Sequence, residues 1–328
     1  MLFNSVTMLL CAVFGYRLYT NAYNKLLFDS MASRLSVTSA QISQKMENAE
    51  YISNLILGSS SIQDCLSDLP SPEDAPAITE YNRTINNALT EYATLFRSNG
   101  IAYAAVYSKN GEYVNCTNWV TLKRTPGFLL DAAIQNGYEK EGAVTWTHAT
   151  RQPYMLLSRN VRQIRNMSLE PLGNMVIGLD LEQVVSEAVR FASQYKDQKV
   201  VIANQSGSLI YASSSLTDQR AEELITDPFT TYKIVSYDGH KYFAVKGTLP
   251  HYQYSYVTLA PFDEVAGALT VSMQTTFMIF LVGILFIWYL SSRLIRGIIR
   301  QFDALIQKMK LFTQNELELE PEEEDYGS

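Results

Sequence analysis

Side chains able to carry out chemistry are few in this 328-residue chain, and they stand far apart. Its three histidines, His148, His240 and His251, share no metal-ligand spacing with one another or with the three cysteines, Cys11, Cys65 and Cys116. No phosphate-cradling glycine loop, HExxH or GxSxG run is present. Catalysis by a resident nucleophile, base or metal is therefore not expected, and no cofactor is implied. The chain is instead rich in rings, with 21 Tyr, 14 Phe and 3 Trp among scattered Arg and Asp. Such a set suits binding: charge-assisted hydrogen bonds orient a small molecule and rings supply desolvated walls. The formal net charge of −7 equals the seven acidic residues of Glu316–Asp325, so the remainder is balanced and offers no basic surface for nucleic acid.

The ends of the chain must position whatever lies between them. From Val265 to Leu290 it runs 26 residues without a charge, then meets Arg293, Arg296 and Arg300. At about 1.5 Å per residue the stretch covers roughly 39 Å, more than the roughly 30 Å hydrocarbon core requires. The basic stop predicts a cytoplasmic C-terminus and an extracellular location for residues before Asp263. Leu2–Tyr16 is also uncharged and ends at Arg17, which reads as a first spanning helix over residues 1–20. The alternative, a cleaved signal peptide, lacks a basic n-region. A two-pass plasma-membrane protein is expected. Arg17 and Lys25 then fall on the outer side, which leads us to expect native sequence before Met1. Beyond Leu290, Ile298, Phe302, Leu305, Met309 and Phe312 step by four, three, four and three, a heptad seam that predicts a homodimer. The acidic run after it suits a connector to sequence beyond Ser328.

Between the spans, residues 21–264 divide by texture. Leu27, Met31, Leu35, Ile42, Met46, Ala49, Ile52 and Ile56 predict one long helix rising from the membrane. After the breaker Asp68–Pro76, a second amphipathic helix carries Ile78, Tyr81, Ile85, Leu89, Tyr92 and Leu95 and closes at Asn99-Gly100, completing a helical stalk over 21–100. The texture then becomes β. A hairpin over Ile101–Cys116, a helix over Thr125–Gln135 and strands at Ala143–Thr147, Pro153–Val161 and Gly173–Leu179 fill 101–182. The same order returns in 183–264: a hairpin at Lys199–Ala212, a helix at Leu216–Ile225, and strands at Tyr232–Tyr237, Tyr242–Gly247 and Tyr254–Ala260. The fold class is α+β, with a long helix and two tandem antiparallel-sheet modules flanked by transmembrane helices.

Three stretches carry a resemblance: Ile202–Ser214, Gly239–Val245 and Tyr254–Val265. They are similar to the membrane-proximal half of double-Cache sensors, tandem PAS-like modules of Gram-positive two-span receptor histidine kinases. Pro171–Asp180 is similar to the closing strand of the distal half, and residues 291–328 resemble the first half of a HAMP linker, although Gly297 follows Arg296 where such linkers often have proline. The resemblance covers nearly the whole chain and rests on pattern. It implies a signal-transduction receptor whose distal module binds an extracellular small molecule. It further implies a parent sensor histidine kinase that acts on a response regulator through domains this stretch lacks, since no histidine follows Leu290. The same sensor on a chemoreceptor or a cyclic-dinucleotide enzyme, or a membrane-anchored binding protein without output, are the alternatives. By the same resemblance the ligand face comprises Tyr103, Tyr107, Trp119, Arg124, Trp146, His148, Tyr154, Arg159 and Asp180, in which an Arg and an Asp would clamp a zwitterion or a sugar. Amino-acid-binding members show an Arg-x-Trp-Tyr run in the cover segment. Arg124-Thr-Pro-Gly stands there instead, so a free amino acid is not expected. Cys65 and Cys116 lie in the exported region, where a disulfide is chemically permitted.

Overall fold

The computed structural model describes residues 2–94, 100–164, 168–192, 197–228, 231–249 and 251–317. The chain divides into two units: Leu27–Ala266, and the terminal segments Met1–Leu26 and Gly267–Ser328.

Helix α1 (Leu2–Gly58) runs unbroken, and residues 2–20 are part of it. Within Leu27–Ala266 its buried stripe of Leu35, Ile42, Met46, Ala49, Ile52 and Ile56 keeps the helical period that predicted it. Ser39 and Ser53 are buried on the same helix, and their hydroxyls donate to the carbonyls of Ser36 and Glu50 at 2.6 and 2.7 Å. Such back-bonding makes a buried serine tolerable in a helix. Helices α2 (Ser60–Ser67) and α3 (Ala75–Thr94) follow, α2 capped by the Ser59 hydroxyl, which accepts from the Ile62 N–H. Of the expected Asn99-Gly100 stop, Asn99 lies outside the described residues, while Gly100 takes the positive φ of +74° that suits a helix end.

Strands β1 (Ile101–Ser108), β2 (Val114–Cys116), β3 (Thr145–Thr147), β4 (Tyr154–Arg162) and β5 (Pro171–Asp180) form an antiparallel sheet in the order β2-β1-β5-β4-β3. Strands β6 (Lys199–Ala203), β7 (Leu209–Ala212), β8 (Tyr232–Tyr237), β9 (His240–Thr248) and β10 (Ser255–Pro261) repeat it as β7-β6-β10-β9-β8. The tandem repeat read from the sequence is therefore a repeat of topology. Asp238-Gly239 joins β8 to β9 with φ of +51° and +76°, the double positive φ that a two-residue hairpin of this twist demands.

Four further helices complete this unit. The helix predicted over Thr125–Gln135 is α5 (Gly127–Glu139); a helix the sequence reading does not assign, α4 (Trp119–Arg124), precedes it, and the extended Thr125-Pro126 pair separates the two. Helix α6 (Leu181–Ala192), which the sequence reading does not assign, links the sheets and buries Leu181, Val184, Val185 and Ala188. Lys45 of α1 holds it through Glu187 at 2.6 Å. Helix α7 (Asp218–Thr226) lies over the second sheet.

Helix α8 (Phe262–Leu317) begins at the residue after β10 ends. Its segment Phe277–Lys310 is long and apolar enough to cross a membrane, and the apolar window is wholly unburied. The seam residues Ile298, Phe302, Leu305 and Met309 are exposed. The acidic run beyond Leu317 lies outside the described residues.

Candidate functional site

Alternation along the strands sorts the first sheet into two faces. One packs on the long-helix side through Ala104, Val106, Met155, Leu157, Met175 and Ile177. The other carries Tyr103, Ala105, Cys116, Leu156 and Val176 beneath Leu122, Leu129 and Ala133 of α4 and α5. This covered face is the candidate site.

Three of the nine expected ligand residues lie on it: Tyr103, Tyr107 and Tyr154. Tyr103 crosses its strand partner Gly178 so closely that a Cβ there would stand 2.3 Å from the ring. Its hydroxyl accepts from the Thr125 hydroxyl at 3.2 Å, and its ring meets Tyr154 edge-on at 6.3 Å. Burial pushes the Tyr103 phenol up to about 12 and raises Tyr107 as well, so both remain neutral hydrogen-bonding groups at physiological pH.

Asp180, opposite Tyr154 in the register of β4 and β5, stands at the edge of the same face, and the other five go elsewhere. Trp119 is 44% exposed and Arg124 is exposed, both on the outside of α4, whose Leu122 points inward. Trp146, His148 and Arg159 are on the opposite face of the sheet. The phase of β3 decides this: Thr145 and Thr147 face the cover, Thr147 accepting from the Asn136 amide at 2.9 Å, so Trp146 turns to α1. Trp146 donates its indole N–H to Glu50 at 2.9 Å, and Arg159 donates to Ser53, Asn54 and the Gly142 carbonyl. Asp180 ends β5 and accepts from the backbone N–H of Gln183, capping α6. The expected Arg–Asp clamp is therefore not assembled, since Arg159 and Asp180 serve different faces and both have structural partners.

The displaced aromatics build the junction between the modules. Trp146 meets Tyr252 at 6.1 Å and His148 meets Tyr254 at 6.2 Å, both edge-on, and Tyr252 stacks on Tyr254. His251 lies 3.7 Å from Glu47 of α1. Burial lowers the His148 imidazole below its ordinary 6.5. Cys116 belongs to the covered face and Cys65 to the α1 side, and both are free thiols.

Sequence reasoning missed the polar residues of the covered face. Register aligns Tyr107, Asn174 and Asn160 in one row across β1, β5 and β4. Asn174 is 0% and Asn160 2% exposed. The Asn174 amide donates to the Ile134 carbonyl of α5 at 3.1 Å, but its Oδ1, the Asn160 Oδ1 and the Tyr107 hydroxyl are buried without a hydrogen-bond partner among the described residues. A signal was available: asparagine is depleted in strand interiors, and two inside apolar strands stand out.

The corresponding face of the second sheet is apolar, packing Val201, Leu209, Leu216, Val235, Val257 and Leu259. Its buried Lys199 is partnered, donating to the Ser215 hydroxyl at 2.9 Å and lying over the Tyr242 ring at 5.4 Å. An open cleft of about 430 Å³ beside α7 is lined by Arg220 and Asp227, whose charges are paired with Glu223 at 2.6 Å and Lys233 at 2.8 Å.

Two sheets of one topology on a shared long helix define a tandem-module fold. The sensory domain of the Campylobacter jejuni chemoreceptor Tlp3 has this fold: it superposes with a TM-score of 0.51 at 10% identity, over 75% of this chain and 98% of that one. The sensor domain of the Vibrio cholerae histidine kinase DctB is 16% identical, over 73% of this chain and 98% of its own, with a TM-score of 0.47. In sequence the chain is similar to the sensor histidine kinase YesM of Bacillus subtilis, 20% identical over 300 residues, or 90% of this chain. It spans about half, 50%, of the length of that curated relative. No family model matches it. The resemblance to double-Cache sensors thus holds at the level of fold.

Proposed function

We propose that this chain is the sensing half of a membrane receptor, in which the covered face of the first module receives an extracellular small molecule. The observation that carries this reading is continuity: β10, the third strand of the second sheet, passes directly at Pro261–Phe262 into the helix that holds the apolar Phe277–Lys310 segment. In this reading α1 contributes a first span over residues 1–20, the Ile298–Phe312 seam pairs two copies, and residues 291–328 form a HAMP-like linker. The similarity to a sensor histidine kinase supports a parent kinase with a response regulator as its downstream partner.

Topology tests the reading. Val120 and Gln301 are exposed on the two sides of the proposed membrane. In intact cells an impermeant maleimide should label Val120→Cys and spare Gln301→Cys until lysis. Recovery of the protein in the soluble fraction, or labelling of both positions before lysis, would remove the receptor reading.

A further inference from the structure

The three arginines that follow the apolar stretch of α8 share one face of the helix. Tyr289, Arg293, Arg296 and Arg300 step by four, three and four residues and so form a single stripe. At roughly 100° per residue, that stripe is centred about 180° around the helix from Ile298, Phe302, Leu305 and Met309. The arginines therefore face away from whatever the apolar seam pairs with. Together with Gly297 the four side chains line a cleft of about 420 Å³. Gly297 makes the room: a Cβ there would have nothing within 4 Å, which leaves open space between Arg293, one turn before it, and Arg300, one turn after. A glycine in an exposed helix interior lowers stability relative to alanine, so this position favours space over helix strength. Arg296 is oriented from within the helix, donating to the Ser292 carbonyl at 3.3 Å and to the Ser292 hydroxyl at 2.8 Å, one turn back towards the apolar segment. Arg293 and Arg300 are exposed, and among the described residues none of the three arginines is in an ion pair, even with the exposed Asp303 one turn further on.

On the receptor reading, on which this site depends, Phe277–Lys310 crosses the membrane with its C-terminal end inside. The exposed Trp288 and Tyr289 then stand in the aromatic belt at the inner boundary. At about 1.5 Å per residue, Arg293 and Arg296 lie about 6 and 10 Å beyond Tyr289, within the headgroup layer, and Arg300 about 16 Å beyond it. Helical side chains lean towards the N-terminus, which brings Arg300 back along the cleft. Guanidinium groups around an uncharged floor suit a phosphodiester, because each offers paired N–H donors that match two phosphate oxygens. Position selects the source of that phosphate: the cleft opens at the membrane surface, where anionic lipids concentrate it. We propose that Tyr289, Arg293, Arg296, Gly297 and Arg300 form a binding site for the headgroup of an anionic phospholipid of the inner leaflet. An occupied site fixes the depth and rotation of α8 just ahead of its seam.

The test places the full chain in nanodiscs of phosphatidylcholine with a minor fraction of phosphatidylglycerol and counts the lipids it retains by native mass spectrometry. Phosphatidylglycerol should be enriched over its share of the disc. Arg293→Gln and Arg300→Gln should each lower that enrichment roughly fivefold. Gly297→Leu keeps every charge but fills the cleft, and should lower it by about as much. Loss of enrichment in the arginine variants with none in Gly297→Leu would mean diffuse attraction to a charged surface and would overturn the site. No enrichment in the unmodified chain would overturn it as well. Glycerol phosphate that binds the chain in discs of phosphatidylcholine alone as well as the lipid does would move the ligand to a soluble phosphate and overturn the lipid assignment. A chain that inserts but retains no phosphatidylglycerol loses this inference alone, whereas one that fails to insert into the discs loses the receptor reading with it.

Discussion

The two modules share a strand order and differ in what lies beneath their helices. In the second, the covered face is apolar and its one buried charge, Lys199, is bonded to Ser215 and capped by Tyr242. In the first, the same position in the fold holds three buried polar atoms without partners among the described residues. A buried polar group left unsatisfied costs about 1–3 kcal/mol, so a sheet that retains three of them is not optimised for stability alone. On the reading proposed above, the second module transmits and the first receives. One topology serves both roles because side-chain choice at a few alternate strand positions, not the backbone, sets the chemistry of the face.

The glycines give the largest way to break this comparison. A Cβ on Gly173, in the first sheet, would meet the Tyr107 carbonyl oxygen at 2.1 Å, whereas one on Gly247, in the second, would meet the end of the Tyr256 ring at 2.8 Å. Gly173→Ala should cost about 3 kcal/mol in denaturant unfolding and Gly247→Ala about 1 kcal/mol, because backbone cannot move aside and a side chain can. Equal costs would mean that the two sheets are equally tolerant. Next in size is Ser215→Ala, which strips the buried Lys199 ammonium of its hydroxyl partner and should cost about 2 kcal/mol in the same assay. Asn160→Leu should cost nothing. The sign difference between these two variants is the energetic form of the contrast.

A smaller effect comes from pH. The folded-state pKa of His148 lies below its unfolded value, so as pH falls through the unfolded value near 6.5 the unfolded chain takes up the proton first. The contribution of His148 to stability is full above that value and declines from there down to the folded pKa. Scanning the melting midpoint from pH 8 to pH 5 should show a decline that is shallower in His148→Gln. The groups that face it across the junction, Tyr254 and beyond it Glu50, do not offer it an ion pair at hydrogen-bond range among the described residues. The smallest expected effect is none: reductant should leave the midpoint unchanged, because Cys65 and Cys116 are free and belong to opposite sides of the first sheet.

Most of the architecture was legible because it rests on periodicity. The 3.6-residue stripe of α1, the strand alternation and the Asp238-Gly239 turn each have a local physical cause, and all three appear where the sequence puts them. Helix α6 escaped notice although Leu181, Val184, Val185 and Ala188 have helical spacing, because it directly continues a strand and no breaker separates the two. The site was less legible. Which face a strand residue takes depends on register to within one residue, and a single step places Trp146 on α1 rather than under the cover. Residue type misled as well: Arg159 and Asp180 look like ligand groups, but a partner on another element claims each of them. The row of Asn160 and Asn174 needed the paired register of β4 and β5, which no single strand reveals.

Hydrogen–deuterium exchange of the full chain in nanodiscs, with and without the compound that best raises its melting midpoint, tests the division of labour most directly. The account predicts slowed exchange in α4, α5 and the neighbouring stretches of β1, β4 and β5, with little change from Lys199 to Pro261. Protection centred on α7 and the second sheet, with the first module unaffected, would contradict it.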